Sequence, residues 1–450
     1  MTMLKKTSLF AIASTLLLLF MPFSLSPEIS VDASSPTTQP APLIQSLTTP
    51  DSPLSFSPLL IWDKNPEAVT YEIEFFASQP LILSDMEVSD DAIFRTAHVY
   101  SNLYNPPLAE FAADLLGKEP LYWRVRARDF DGNPLTPFSP LAALYTSASL
   151  PPMNAPVPLA QYDTERGSTL LYPVYNWIGQ YNAASYELQL FDENPEEDIE
   201  AAPIDTMKTE TAEIYDSTPR YGTQPFYWRV QALDSEGQPI GDWSRANSFR
   251  TSPSDNWEIA VLGDSISHGG GHYSYGPADL EFSWLAYLDF SALNLSQSGD
   301  LSETTLERFD RDVLPFHPHY LLVLTGTNSL RGGVDPDSVI HDLQTIKEKC
   351  LQNNIKPIFL TLPPINPENI EHVFDEPTVA DWQERFDKVN DYIRTQVYID
   401  TAAAFNCPND VLPTEAALDG LHPDVSGKRI MAEAVNEAWE EAKIAANAQE

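Results

Sequence analysis

The chain is poor in cysteine, in basic side chains and, past its first residues, in long apolar runs. Two cysteines in 450 residues, Cys350 and Cys407, exclude a framework built from disulfides. Cys350 lies near the end of a helical stretch before the strand P-I-F-L-T-L, and Cys407 follows the strand V-Y-I-D. In a parallel sheet these positions fall at opposite edges, a strand length of roughly 20 Å apart, beyond the reach of a disulfide. Two thiols are therefore expected. Twenty-six Lys and Arg against 65 Asp and Glu give a net charge of −39, which excludes nucleic acid as a partner and disfavours anionic membranes and polyanionic substrates. Such a surface keeps a protein soluble outside the cell.

The one long apolar run opens the chain. M-T-M-L-K-K-T-S-L-F-A-I-A-S-T-L-L-L-L-F-M-P-F-S-L-S carries Lys5 and Lys6 ahead of its apolar stretch, the order of an export signal. A cleavage site fits after Val31-Asp32-Ala33, so residues 1–33 are expected to be removed; retention of Leu9–Leu25 as an anchor is the competing reading. No stable membrane insertion is expected after cleavage. Residues 34–53 are rich in Ser, Thr and Pro and read as a linker.

An internal repeat follows. L-L-I-W-D-K-N-P-E-A-V-T-Y-E-I-E-F-F answers P-V-Y-N-W-I-G-Q-Y-N-A-A-S-Y-E-L-Q-L-F, aligning Trp62 with Trp177 and Tyr71 with Tyr186. L-Y-W-R-V-R-A-R-D-F-D-G-N-P-L answers F-Y-W-R-V-Q-A-L-D-S-E-G-Q-P-I, aligning Trp123 with Trp228 and Gly132 with Gly237. Apolar residues alternate in Y-E-I-E-F and W-R-V-R-A, the period of a strand with one buried face, and D-G-N and E-G-Q supply hairpin turns. Two small antiparallel sandwiches with core tryptophans are expected, at residues 54–149 and 150–252. Their pattern resembles fibronectin type III and related immunoglobulin-like modules of secreted bacterial proteins. Such modules act as spacers or bind carbohydrate or protein. Alternation turns most of the aromatics inward, which favours core packing over ligand binding.

From Trp257 the pattern changes. W-E-I-A-V-L runs into G-D-S, Y-L-L-V-L into T-G-T-N, P-I-F-L-T-L into P-P-I-N and V-Y-I-D into T-A-A-A. Between them stand amphipathic stretches such as D-P-D-S-V-I-H-D-L-Q-T-I-K-E-K-C-L. Buried strands alternating with helices predict an α/β domain, a parallel sheet between helical layers, over residues 256–445. Function then gathers at the carboxyl ends of the strands.

Four motifs fall there in order: Gly263-Asp264-Ser265, S-Q-S-G-D-L-S-E-T-T around Gly299, Gly326-Thr327-Asn328, and Asp419-Gly420-Leu421-His422-Pro423. Each residue alone has an ordinary reading: a turn serine, a turn glycine, a capping asparagine, a solvated histidine. Together they supply a hydroxyl nucleophile in Ser265, a base in His422 and a carboxylate in Asp419 to orient it. The N–H groups of Ser265 and Gly299 and the Asn328 amide are donors for an oxyanion, although other amides lie beside Gly299. The segment from Trp257 to Trp439 resembles the SGNH (GDSL-type) hydrolases, a family named for Ser, Gly, Asn and His. Ser265, Gly299, Asn328 and His422 match those four positions, and Asp419 the triad acid. The resemblance implies a flavodoxin-like fold, no metal or other cofactor, and an activity among carbohydrate acetyl esterases, lipases, lysophospholipases and thioesterases. Ser329 departs from it, standing where the family has Asp after the Asn. His268 and His272 in H-G-G-G-H-Y tempt a metal reading, but glycines between them disfavour a helix and no Cys or acidic cluster completes a site. The sequon Asn294-Leu295-Ser296 falls on a buried strand, so glycosylation is not expected.

These readings converge on an exported serine esterase acting on short acyl, foremost acetyl, esters of carbohydrate, with the β modules holding it off a cell surface or polysaccharide. A lipase, lysophospholipase or thioesterase, or a surface glycan-binding protein whose hydrolase domain only binds, are the alternatives.

Overall fold

Alternating apolar residues build the β modules as the repeat predicts. The structure is a computed structural model describing residues 39–448 except 66–67, 69, 100, 130–131, 160–169, 199, 272–281 and 408–410. The export signal, the start of the linker and His272 lie outside the described residues. Among those described, no helix is long and apolar enough to cross a membrane.

In the first module Thr70–Phe76 runs antiparallel between Phe94–Val99 and Leu121–Arg128, and Leu60–Ile61 pairs with Leu103–Tyr104 in a second sheet. In the second, Ser185–Phe191 runs between Asp205–Thr209 and Phe226–Leu233, beside a sheet of Val157–Pro158, Val174–Ile178 and Glu213–Tyr215. The repeat extends to ring geometry. Trp62 meets Tyr71 at 5.3 Å and 67°, and Trp177 meets Tyr186 at 5.3 Å and 63°. All four aligned tryptophans are buried, so the aromatics serve the cores.

Two details differ from the expectation. Residues 39–53 are not a free linker: Ile44 is buried and bridges Trp62, Leu54 bridges Thr146, and the Thr48 hydroxyl donates to Ala143 O at 2.7 Å. The few apolar residues in this Pro-rich stretch suffice to fix it. The polar face of Y-E-I-E-F and W-R-V-R-A is also covered. Arg124 and Arg126 pair with Glu74 and Glu72 at 2.6 Å each and lie under Phe138. Their guanidiniums hold the carbonyls of Ser84, Met86 and Glu87, so a loop distant in sequence closes what alternation assigns to solvent.

The C-terminal domain has a parallel sheet of β1 (Ile259–Gly263), β2 (Leu293–Asn294), β3 (Tyr320–Leu324), β4 (Lys356–Leu360) and β5 (Tyr398–Ile399). Its strand order is β2-β1-β3-β4-β5. The order reverses at β1, and in open α/β sheets the crevice for ligands opens at such a point, at the carboxyl ends. The predicted amphipathic stretches form helices Pro336–Gln352 and Trp382–Ile393, burying Val339, Leu343 and Ile346 from the first and Phe386 and Val389 from the second. Cys350 is buried in this core and Cys407 is partly buried; both remain thiols, and burial raises the Cys350 thiol far above its ordinary range. A reductant is accordingly expected to leave the melting temperature unchanged, checked by thermal unfolding with and without dithiothreitol.

Candidate active site

Strand β1 ends at Gly263, and helix α1 (Ser265–His268) starts at Ser265. Between them Asp264 caps the helix, its Oδ1 accepting from Ile266 N–H at 3.0 Å. Ser265 is thereby set at the first helical position on the rim. The last motif reaches the same rim by a loop: Gly420 adopts φ +75°, and a Cβ there would lie 2.3 Å from Asn366 O, so only glycine fits. Asn366 N–H in turn donates to Gly420 O at 2.7 Å, tying the loop to the segment after β4.

These supports bring three residues far apart in sequence into line. Ser265 Oγ lies 2.7 Å from His422 Nε2, and His422 Nδ1 lies 2.8 Å from Asp419 Oδ2. Asp419 Oδ1 accepts the N–H groups of Leu421 and His422 at 2.8 and 2.7 Å. Burial would raise this carboxyl, but the imidazole beside it and these hydrogen bonds outweigh burial and hold it below the usual carboxylate range. A carboxylate on Nδ1 selects the tautomer with its hydrogen on Nδ1, leaving Nε2 free to accept a proton from the serine.

Gly299 follows β2 and Asn328 follows β3, the two neighbours of β1, so the oxyanion candidates flank the serine strand. Gly299 is exposed with φ +87°, and a Cβ there would meet nothing within 4 Å, so the space beside its backbone is open. Asn328 is oriented from two sides, its Nδ2 donating to Asp300 O at 3.0 Å and its Oδ1 accepting from Arg331 at 3.2 Å. Ser329 keeps a tie despite its departure from the usual Asp: its hydroxyl accepts Ser302 N–H at 2.9 Å, and Ser302 Oγ donates to Asp342 at 2.7 Å.

Residues 261–430 match the family model of the GDSL-like lipases and acylhydrolases. The chain carries a GDSL-like acylhydrolase domain and is an ester hydrolase. Similar solved structures include a GDSL-like lipase from Bacteroides thetaiotaomicron, 20% identical over 42% of this chain and 90% of that one, TM-score 0.34. The lipase/acylhydrolase from Enterococcus faecalis is 18% identical over 41% and 96%, TM-score 0.33. A mutant acetyl-xylooligosaccharide esterase from Geobacillus is 21% identical over 40% and 92%, TM-score 0.31. No curated protein matches the chain.

Beneath the site of the GDSL-like domain lies a buried polar layer that sequence reasoning did not assign. Arg308, 4% exposed, donates to Gly263 O at 2.9 Å and Leu295 O at 2.6 Å, gripping the carboxyl ends of β1 and β2. Asp300 and Asp312 neutralise it at 2.5 and 3.1 Å. Lys428, buried on helix Val425–Asn447, donates to Ile266 O at 2.6 Å and braces α1 from below. Burial pushes its ammonium down to about 7 despite the pull of Asp419, Asp424 and Asp264. It also pushes the Asp264 carboxyl up to about 6. The i, i+4 spacing of Arg308 and Asp312 is a legible signal for part of this layer. Asn294 of the sequon is buried as expected, its amide donating to Ser267 O at 2.8 Å.

His268 has both ring nitrogens engaged by neighbours, and among the described residues, which leave out His272, no group of three metal-binding side chains occurs. Its Nε2 faces Tyr172 O at 2.7 Å and its Nδ1 faces Ser298 Oγ at 2.8 Å. A carbonyl only accepts, so Nε2 carries the hydrogen and the neutral ring accepts from Ser298 at Nδ1. Burial pushes this imidazole down to about 4 from 6.5. Between those values the unfolded chain binds a proton that the folded chain refuses, so stability falls as pH drops through the window. The loss expected from pH 7.5 to 4.5 is about 2 to 3 kcal/mol. Urea unfolding at each pH, compared with His268→Gln, checks it. Asp264 acts with the opposite sign from its ordinary 3.8 up to about 6 but is present in both proteins, so the difference isolates His268. Equal slopes would refute the assignment.

Proposed function

We propose that the protein is an exported serine esterase that removes short acyl groups, foremost acetyl, from carbohydrate. The 2.7 Å contact of Ser265 Oγ with a His422 held by Asp419 carries this reading. Ser265 attacks the ester carbonyl as His422 takes its proton. The oxyanion is received by the Gly299 N–H, the free amide hydrogen of Asn328 and the N–H of Ser265. His422 then protonates the departing sugar oxygen, which leaves as the free hydroxyl, and a water activated by the same imidazole releases the acid from Ser265. The net charge of −39 suits a neutral polymer over an anionic one. Phe374, 39% exposed with its ring centred 6.1 Å from that of His422, offers a wall for a sugar or short acyl group. The two β modules fit fibronectin type III-like units, and residues 1–33 an export signal.

Purified protein starting at residue 34 is expected to hydrolyse p-nitrophenyl acetate with a chelator present, and faster than long-chain p-nitrophenyl esters. Higher activity on the long chains would overturn the acyl-length reading. Release of acetate from acetylated but not phosphorylated or sulfated polysaccharide then tests the substrate class.

A further inference from the structure

The catalytic sheet does not end at β2. Leu170 bridges parallel to Asn294, and Leu171 N–H donates to Asn294 O at 3.0 Å, so a segment of the second β module, just ahead of its strand Val174–Ile178, covers the outer edge of β2. The module grips this segment from its other side: Arg220 N–H donates to Leu171 O at 2.8 Å and the Thr251 hydroxyl to Leu170 O at 3.1 Å. Leu171 and Tyr172 are fully buried in the core of the catalytic domain.

Two hydrogen-bonded routes leave Tyr172. One is neutral: its carbonyl accepts from His268, His268 accepts from the Ser298 hydroxyl, and Ser298 immediately precedes Gly299. Tyr215 of the same module packs its ring 5.3 Å from that of His268, which is fully buried. The other route is charged. The Tyr172 hydroxyl donates to Asp312 and accepts from Arg311 at 2.5 Å, Arg308 joins Asp312 to Asp300, and Asp300 O holds the Asn328 amide at 3.0 Å. A neutral path ends at one oxyanion candidate and a charged path at the other.

We propose that Tyr172, brought by the second β module, is a positioning residue for both oxyanion donors, Gly299 through His268 and Ser298, and Asn328 through Asp312, Arg308 and Asp300. The inference rests on the oxyanion roles proposed for Gly299 and Asn328. It makes the module part of the machinery that shapes the transition-state site, because interactions within a linked polar network set one another's geometry. Donors displaced by a fraction of an ångström still admit the ester but receive the oxyanion poorly, which lowers kcat and spares KM.

The test uses the full chain, p-nitrophenyl acetate, and the variants Tyr172→Phe, Ser298→Ala, Ser298→Thr and Asn328→Ala. Tyr172→Phe and Ser298→Ala are each expected to lower kcat about tenfold with KM within about twofold, and Ser298→Thr to restore most of the loss. Folded Tyr172→Phe and Ser298→Ala proteins with kcat within about twofold of wild type, alongside an Asn328→Ala loss of about a hundredfold, would overturn the inference and leave the oxyanion reading intact. An Asn328→Ala protein with unchanged kcat would instead remove that reading, and the inference with it. A Ser298→Ala loss that Thr does not restore, or that appears in KM, marks general loosening and also overturns it. Should Tyr172→Phe fail to fold, Asp312→Asn interrupts the charged route in its place, with the same fall in kcat expected, and the two Ser298 variants decide the neutral route.

Discussion

Ser265→Ala is expected to lower kcat for p-nitrophenyl acetate by about four powers of ten or more while leaving the fold intact. The size follows from covalent catalysis: without the hydroxyl no acyl intermediate forms, and only transition-state stabilisation by the oxyanion donors remains. The small structural cost follows from the contacts of the hydroxyl. Its hydrogen bond goes to His422 Nε2, and the His422 side chain is 15% exposed at the rim, so water can satisfy the nitrogen that the serine leaves. The variant is therefore expected to melt within about 1 kcal/mol of wild type. It should still bind ester, since the removed oxygen makes its decisive bond only during reaction. A variant that keeps a tenth of wild-type turnover would show that another nucleophile or a directly activated water does the chemistry.

The sequence makes legible what short range determines. Trp62, Trp123, Trp177 and Trp228 recur at matching places of the repeat, and all four are buried. The runs W-E-I-A-V-L, Y-L-L-V-L and P-I-F-L-T-L become adjacent parallel strands, β1, β3 and β4, because a strand buried on both faces must be apolar throughout. The site residues are legible for a related reason. Strand ends are where Gly, Asp, Ser and Asn gather, so Ser265, Gly299 and Asn328 follow adjacent strands onto one rim. What stays hidden is the polar layer beneath. Arg308, Asp300, Lys428 and His268 look like surface residues one at a time, and nothing local says that strand-end carbonyls will need their hydrogen bonds. Tyr172 is harder still: its partners Asp312 and His268 lie 140 and 96 residues away in the chain. The module boundary read from the repeat separates Tyr172 from the sheet whose edge its neighbours Leu170 and Leu171 cover.

His422→Ala and Asp419→Asn separate the base from the group that orients it. His422→Ala removes the one acceptor that the described residues place on Ser265 Oγ, at 2.7 Å, and kcat should fall as far as in Ser265→Ala. Asp419→Asn should cost about a hundredfold less. The asparagine Oδ1 can keep the N–H bonds of Leu421 and His422, at 2.8 and 2.7 Å in the native loop, so the loop and the imidazole stay in place. What changes is the tautomer: an amide N–H facing Nδ1 favours the hydrogen on Nε2, which then cannot accept from serine. The minority tautomer still reacts, and residual activity measures its share. Because the defect lies in the ring's hydrogen placement and not in substrate binding, KM should stay within about twofold while kcat falls. Equal losses for the two variants would mean that Asp419 holds the loop itself, and a changed melting temperature for Asp419→Asn would accompany them. If instead Asp419→Asn proves the costlier change, proton removal from Ser265 runs through a group other than His422, and the triad assignment falls.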